Sequence, residues 1–209
     1  MHPDIADFAS DAFYDGVLQP VGLPHQQGEL PYRVFTEDER FVATTRCGFI
    51  DIPLPPVNKR CTKMNHAEAV QIAAIVTQLR HLATENSLTL DLPHQVGIIV
   101  PFRRQITMVR QALYEAGIPE ASDVMIDTVE RYQGSQRDII IYGTTISSEY
   151  ELDILSNIVE QNGEPVDRKL NVAVTRARRQ LFVLGNKQLL SRNPIYRRLI
   201  DYADEGSLD

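Results

Sequence analysis

The densest group of anion-binding side chains in this sequence lies between residues 168 and 179. The stretch contains no acidic residue and five basic ones, namely Arg168, Lys169, Arg176, Arg178 and Arg179. A guanidinium group offers a planar pair of donors that matches two oxygens of one phosphate. The stretch therefore indicates an anion site, although a solvated basic helix end would give the same pattern.

A polar turn around one glycine is the second candidate for phosphate binding. It consists of Gln133, Gly134, Ser135 and Gln136, and it stands between two β-rich runs. A glycine lets backbone N–H groups approach a phosphate closely, and Gln and Ser side chains add neutral hydrogen bonds. A plain polar turn between two strands is the alternative interpretation.

Several motifs that would complete an enzyme are absent from the sequence. No Gly-Lys pair occurs, so the phosphate loop GxxxxGK[ST] is missing, and no apolar strand ends in Asp-Glu. The motifs GxGxxG, GxSxG, HExxH and CxxC are missing too, and the five histidines share no ligand spacing. We therefore expect no metal site and no self-contained hydrolase or dehydrogenase.

Apolar runs alternate with helical patterns along most of the chain. We predict strands within 96–102, 124–130, 137–145 and 180–186, and helices over 3–14, 65–83, 103–117, 170–178 and 194–202. Arg176, Arg178 and Arg179 fall on the predicted helix at 170–178 or at its end. Strands that are apolar throughout and alternate with helices predict an α/β fold, with a parallel sheet flanked by helices on both faces.

The carboxyl ends of parallel strands are where such folds bind ligands. We therefore expect the functional residues within 101–105, within 128–137, from 144 onward, and at Gly185 with Asn186. Residues 147–167 read as an acidic loop. We predict a single domain whose α/β core spans residues 61–209. Residues 1–60 lie outside this core in the prediction, as a short helix followed by an irregular excursion with β-like runs at 41–45 and 48–52.

The composition is that of a globular protein with a locally basic end. The chain has 209 residues, 43% of them hydrophobic, and a formal charge of −7, yet residues 168–209 carry nine basic and four acidic groups. An anion site within an acidic chain is thus possible. Two cysteines, no run of eighteen apolar residues and an acidic N-terminus predict a cytoplasmic protein without a membrane segment.

Five segments in order resemble the second RecA-like domain of superfamily 1 helicases of the up-frameshift-like branch, also called 1B. They are MHPDIADFASDAFYDGVL, MNHAEA, GIIVPFRRQ (motif IV), TVERYQGSQRDIII (motif V) and LNVAVTRARRQLFVLGN (motif VI). The resemblance implies a RecA-like P-loop NTPase fold without its own P-loop. It also implies the C-terminal motor domain of an ATP-dependent DNA or RNA helicase, inactive without the first RecA-like domain.

Site residues follow from the same resemblance. It implies that Arg176 is the arginine finger that reaches the γ-phosphate of ATP. The positions implied to line the nucleotide cleft are Gln133, Gly134, Gln136 and Arg178. The positions implied to follow a single strand of DNA or RNA are Pro101, Phe102, Arg103, Gln105 and Thr128. ATP with Mg²⁺ would be bound mainly by the first RecA-like domain, which is also the implied partner.

One departure and two alternatives accompany this resemblance. The family usually has Gly-x-Glu in motif V, whereas Gln136 is neutral here, so any role that needs a charge is lost at this position. A non-catalytic nucleic-acid-binding or protein-interaction module of the same fold would lack a reason to keep Arg176 and the turn at 133–136. An unrelated phosphate-binding regulator would need a phosphate loop, which the sequence lacks.

Overall fold

A five-stranded parallel sheet forms the centre of the protein in a computed structural model, which describes residues 1–56, 60–132 and 134–205. The strands run in the order β1-β7-β4-β2-β3. Their bounds are β1 Cys47–Asp51, β2 Val96–Ile99, β3 Met125–Asp127, β4 Arg137–Gly143 and β7 Ala177–Gly185. A separate antiparallel hairpin consists of β5 Ile158–Gln161 and β6 Glu164–Asp167.

Helices cover both faces of this sheet. They are α1 Pro3–Phe13, α2 Pro24–Gln27, α3 Arg40–Thr44, α4 His66–Glu85, α5 Leu92–Gln95, α6 Arg103–Glu115, α7 Glu149–Leu155, α8 Arg168–Thr175, α9 Lys187–Leu190 and α10 Pro194–Glu205. One core cluster contains buried side chains of α1, α8 and α10, and the other contains those of α3, α4 and α6. The predicted α/β architecture is confirmed.

The central strands are as apolar as a doubly covered sheet requires. All four residues of β2 are buried, and β4 is buried from Ile139 to Gly143. Gly97 is needed at its position, because a Cβ there would lie 2.8 Å from the hydroxyl of Tyr132 and 2.9 Å from a side-chain carbon of Ile140. This close approach lets the segment after β3 pass directly over the sheet.

The N-terminal segment differs from the sequence prediction. Residues 1–60 were expected outside the α/β core, yet α1 packs on the sheet and β1 is its edge strand, parallel to β7. The predicted β-like run at 41–45 is wrong, since α3 occupies it. Thr36 and Glu39 form a capping box ahead of α3, with the Thr36 N–H donating to Glu39 Oε2 at 2.9 Å. This local cap outweighs the β propensity of the run.

Two other segments also depart from the expectations. The acidic stretch at 147–167 is not a loop, because it contains α7 and the β5–β6 hairpin. The helix expected over 170–178 ends earlier, at Thr175, and β7 begins at Ala177. Ala177 is buried and pairs with Arg137 of β4, so the backbone must be extended there. Arg178 and Arg179 therefore lie on a strand.

Among the described residues, no helix is long and apolar enough to span a membrane.

Candidate functional site

The predicted nucleotide-cleft residues meet at the amino ends of β4 and β7. The Arg137 N–H donates to the carbonyl of Arg176 at 3.0 Å, which joins the start of β4 to the end of α8. Arg178 Nε donates to Gln136 Oε1 at 3.4 Å. Gln136 was expected after the carboxyl end of a strand, and that expectation is wrong. Arg176 and Arg178, which were expected on a helix or at its end, lie at the same amino edge. Motif V crosses the sheet between Thr128 and Arg137, so its two ends lie on opposite edges.

Arg176 is held in place by its own surroundings. Its Nε donates to the Val172 carbonyl at 3.1 Å, Nη2 donates to Thr175 Oγ1 at 3.1 Å, and Nη1 donates to the Ser135 carbonyl at 3.4 Å. A guanidinium has five N–H groups, so two remain for another acceptor. Arg176 is thus oriented in advance and still able to bind an anion.

Arg178 and the turn before β4 complete this edge. Arg178 Nη1 lies 3.9 Å from Asp138 Oδ1, and the Arg178 carbonyl accepts from the His2 N–H at 2.8 Å. Gly134 has a φ of +86°, and no atom lies within 4 Å of the position that its Cβ would take. A side chain at this position would enter open space, so the turn is sterically accessible. Gln133 lies outside the described residues.

The predicted nucleic-acid residues gather at the opposite, carboxyl edge. Pro101, Phe102, Arg103 and Thr128 line one groove of about 580 Å³, which we call the basic groove. Its other lining residues are Lys63, Arg104, Glu130 and Arg131. Lys63 Nζ lies 5.7 Å from the centre of the Phe102 ring, which fits a cation–π contact. Four cations face one carboxylate in this groove, so its charge favours an anionic ligand.

Two of these cations are available to a ligand. Glu130 Oε1 lies 3.7 Å from Lys169 Nζ, and Arg131 Nη1 lies 3.8 Å from Asp127 Oδ2. Over the described ranges, Arg103 and Arg104 have no ion-pair or hydrogen-bond partner for their guanidinium groups, and both side chains are exposed. Exposed unpaired guanidinium groups beside an apolar floor suit phosphate oxygens.

Gln105 takes a different place from the predicted one. It is fully buried, its Oε1 accepts from the Asn65 N–H at 2.8 Å, and its Nε2 donates to the Asn65 carbonyl at 2.8 Å. Both polar atoms are therefore occupied, and Gln105 is not exposed to a nucleic-acid strand. It fixes the start of α6 against the start of α4, because buried amides require partners.

A family model described as an AAA domain matches residues 1–188 of this chain. The chain belongs to this family. A regulator of nonsense transcripts 1 homolog from Drosophila melanogaster is 26% identical over 230 residues, with 100% of this chain and 17% of the relative covered. Helicase sen1 from Schizosaccharomyces pombe is 28% identical over 206 residues, with 97% of this chain and 11% of the relative covered.

Two further matches are an RNA helicase and a solved structure. The human RNA helicase Mov10l1 is 32% identical over 146 residues, covering 66% of this chain and 11% of that protein. The crystal structure of the C-terminal domain of a possible DNA helicase from Lactobacillus plantarum covers 94% of this chain, with 15% identity and a TM-score of 0.49. This AAA domain spans less than a fifth of the length of the curated relatives named here.

These relatives confirm the resemblance to superfamily 1B helicases. The helicase domain also contains groove residues that were not among the predicted nucleic-acid positions, namely Lys63, Arg104 and Arg131. Arg104 and Arg131 lie within the predicted ranges 101–105 and 128–137, so their charge was a usable signal. Lys63 had no such signal in the sequence, because it reaches the groove from the loop before α4. Among the described residues, no three His, Cys, Asp or Glu side chains gather as a metal site requires.

Proposed function

We propose that this domain is the C-terminal motor domain of an ATP-dependent helicase and supplies the arginine finger to a nucleotide held by a first RecA-like domain. The observation that carries this proposal is the pairing of β4 with β7. It brings Gln136, Arg176 and Arg178 together at the amino ends of the two strands.

Arg176 is the finger in this proposal. Phosphoryl transfer spreads negative charge over the γ-phosphate oxygens, and a guanidinium donor stabilises that charge most in the transition state. Three internal hydrogen bonds orient the group before nucleotide arrives, so little reorganisation is needed at the reaction step. The two free N–H groups are the ones that reach the phosphate.

ATP and Mg²⁺ would be bound mainly by the partner domain. The sequence has no phosphate loop, and no metal-ligating cluster occurs over the residues that the structure describes. The residues of this chain that fit a triphosphate are therefore the two arginines and the open backbone at Gly134. We propose that the chain alone does not hydrolyse ATP, because its own residues only complete the site.

The basic groove is the proposed track for single-stranded DNA or RNA. Arg103 and Arg104 would bind backbone phosphates, and the Thr128 hydroxyl would add a neutral contact. Such contacts position a strand but read little of its sequence. The overall charge of −7 does not oppose binding, since four cations and one carboxylate line this groove.

Hydrolysis by a longer protein that contains this segment tests the finger. Arg176→Ala should reduce single-turnover hydrolysis by roughly two to five orders of magnitude, while nucleotide affinity changes much less. Arg176→Lys should recover little, because an ammonium lacks the planar fork. Arg179→Ala is the matched control, since Arg179 lies three residues further on, within β7, and its loss should reduce hydrolysis far less.

Two results would contradict the proposal. Hydrolysis by Arg176→Ala within a few-fold of the parent would exclude the finger. ATP turnover by the isolated chain that depends on Arg176 would mean that a complete site exists without a partner. If the longer protein binds nucleic acid and ATP has no effect on that binding, the non-catalytic module is favoured instead.

A further inference from the structure

A second groove adjoins the basic groove at Arg104. It runs along α6 from Arg104 to Glu115 beside the start of α4, has a volume of about 470 Å³, and is lined by Met64, His66, Arg104, Met108 and Glu115 among others. Arg104 lines both grooves. An anionic ligand that follows the basic groove therefore meets a cation at their boundary.

The two walls of the second groove are fixed by the buried pair of Asn65 and Gln105. Asn65 is the N-cap of α4, and Gln105 lies in the first turn of α6. Their two hydrogen bonds of 2.8 Å join the helices below the groove floor. The groove is consequently preformed, so a ligand would not have to order it.

The lining of this groove separates charge from apolar surface. Arg104 and His66 lie on exposed positions at its rim, whereas the half-buried Met64 and Met108 form apolar walls. Glu115, the only carboxylate among the lining residues, already accepts from Gln111 Nε2 at 2.8 Å. A cation beside flexible thioether walls matches the chemistry of a nucleotide, with its charged phosphate and flat apolar base.

We propose that single-stranded nucleic acid continues from the basic groove past Arg104 and places a further base against Met64 and Met108 in the second groove. This inference rests on the proposed nucleic-acid track, because the strand enters from it. Continuity with the basic groove through Arg104, together with the apolar wall of Met64 and Met108 beside it, selects this occupant over a purely apolar peptide.

Binding of fluorescent oligothymidylates from about four to about sixteen nucleotides to the 209-residue chain tests this inference. We expect affinity to increase once the strand is long enough to fill both grooves. His66→Glu should then weaken binding of the longest strands about tenfold and that of the shortest at most about twofold. His66 is exposed in the first turn of α4, where a carboxylate favours the helix, so this variant should fold.

Two more variants separate the second groove from the rest of the surface. Tyr114→Glu adds the same charge to an exposed position of α6 outside both grooves and should bind like the parent. Met108→Ala should weaken only the long strands, because it removes apolar wall without changing charge. Arg103→Ala should weaken strands of every length, since Arg103 lines the basic groove alone.

The outcomes distinguish the two proposals. If His66→Glu and Tyr114→Glu bind long strands with equal affinity while Arg103→Ala lowers the affinity for strands of every length, the second groove is excluded as a binding site. The proposal for the basic groove is then kept. If no strand of any length binds, both the track and its extension are overturned. A length-dependent loss confined to His66→Glu and Met108→Ala supports the extension.

Discussion

The stability of this domain should fall as the pH rises, because of a single buried carboxyl group. Glu68 is fully buried in α4, at the carboxyl edge of the sheet. It accepts hydrogen bonds from the Thr145 N–H at 2.8 Å and from Asn65 Nδ2 at 3.2 Å. Burial raises its pKa to about 8, and those donors oppose the shift only in part.

The sign and size of the effect follow from linkage. Unfolded Glu68 would titrate near its ordinary pKa of about 4.3, whereas the folded group holds its proton up to about 8. Between these values the folded state binds a proton that the unfolded state releases, so stability falls with rising pH by roughly 1.4 kcal/mol per unit. The total loss is at most about 5 kcal/mol, and the stabilisation is fully present only below the unfolded pKa.

Urea unfolding of the parent chain and of Glu68→Gln from about pH 5 to about pH 8 measures this effect. Glutamine keeps the size and one acceptor of the side chain but does not titrate. The parent should therefore lose several kcal/mol relative to Glu68→Gln across the series, with an unchanged m-value. The reasoning would be refuted if the free energy of unfolding depended on pH equally in the two proteins, or if the parent became more stable relative to Glu68→Gln as the pH rises.

Three further predictions concern packing and reactivity. Gln105→Leu should lower the free energy of urea unfolding by about 1–3 kcal/mol, since the buried Asn65 N–H loses its acceptor while the Asn65 carbonyl keeps the Ala69 N–H as a donor; a loss under about 0.5 kcal/mol would contradict the clamp. Gly97→Ala should cost about 1–3 kcal/mol in the same assay, because its Cβ would meet three side-chain atoms within 2.9 Å. Titration of the native chain with a thiol reagent should label Cys61, which is exposed, and spare Cys47, whose pKa burial raises to about 12; equal rates would exclude this difference.

Much of the fold follows from local sequence patterns. The Asn65 cap starts α4 as predicted, and the apolar runs around β2, β4 and β7 are buried strands. These features depend on side-chain periodicity and capping, which act over a few residues. The ordered motifs likewise identified the family, because each is a contiguous stretch.

The placement of the site residues depended on the tertiary structure. Gln105 and Arg104 are neighbours in the sequence, yet one is clamped in the interior and the other lines both grooves. The run from Arg176 to Arg178 changes from helix to strand because Ala177 pairs with β4. Lys63 reaches the basic groove only through a loop whose path is set by contacts such as that of its N–H with Glu151 Oε1 at 2.8 Å.

The sequence by itself determined the class of fold, the family and the residue types able to bind phosphate. Only the tertiary structure decided that the predicted residues divide between two opposite edges of the sheet. A residue's edge is set by the direction of its strand and by where the chain crosses over, and both are fixed by pairings between segments far apart in the chain. Local periodicity carries no information about those pairings, which is why the sequence patterns did not show that Gln136, Arg176 and Arg178 lie at the amino edge while Pro101, Phe102 and Arg103 lie at the carboxyl edge.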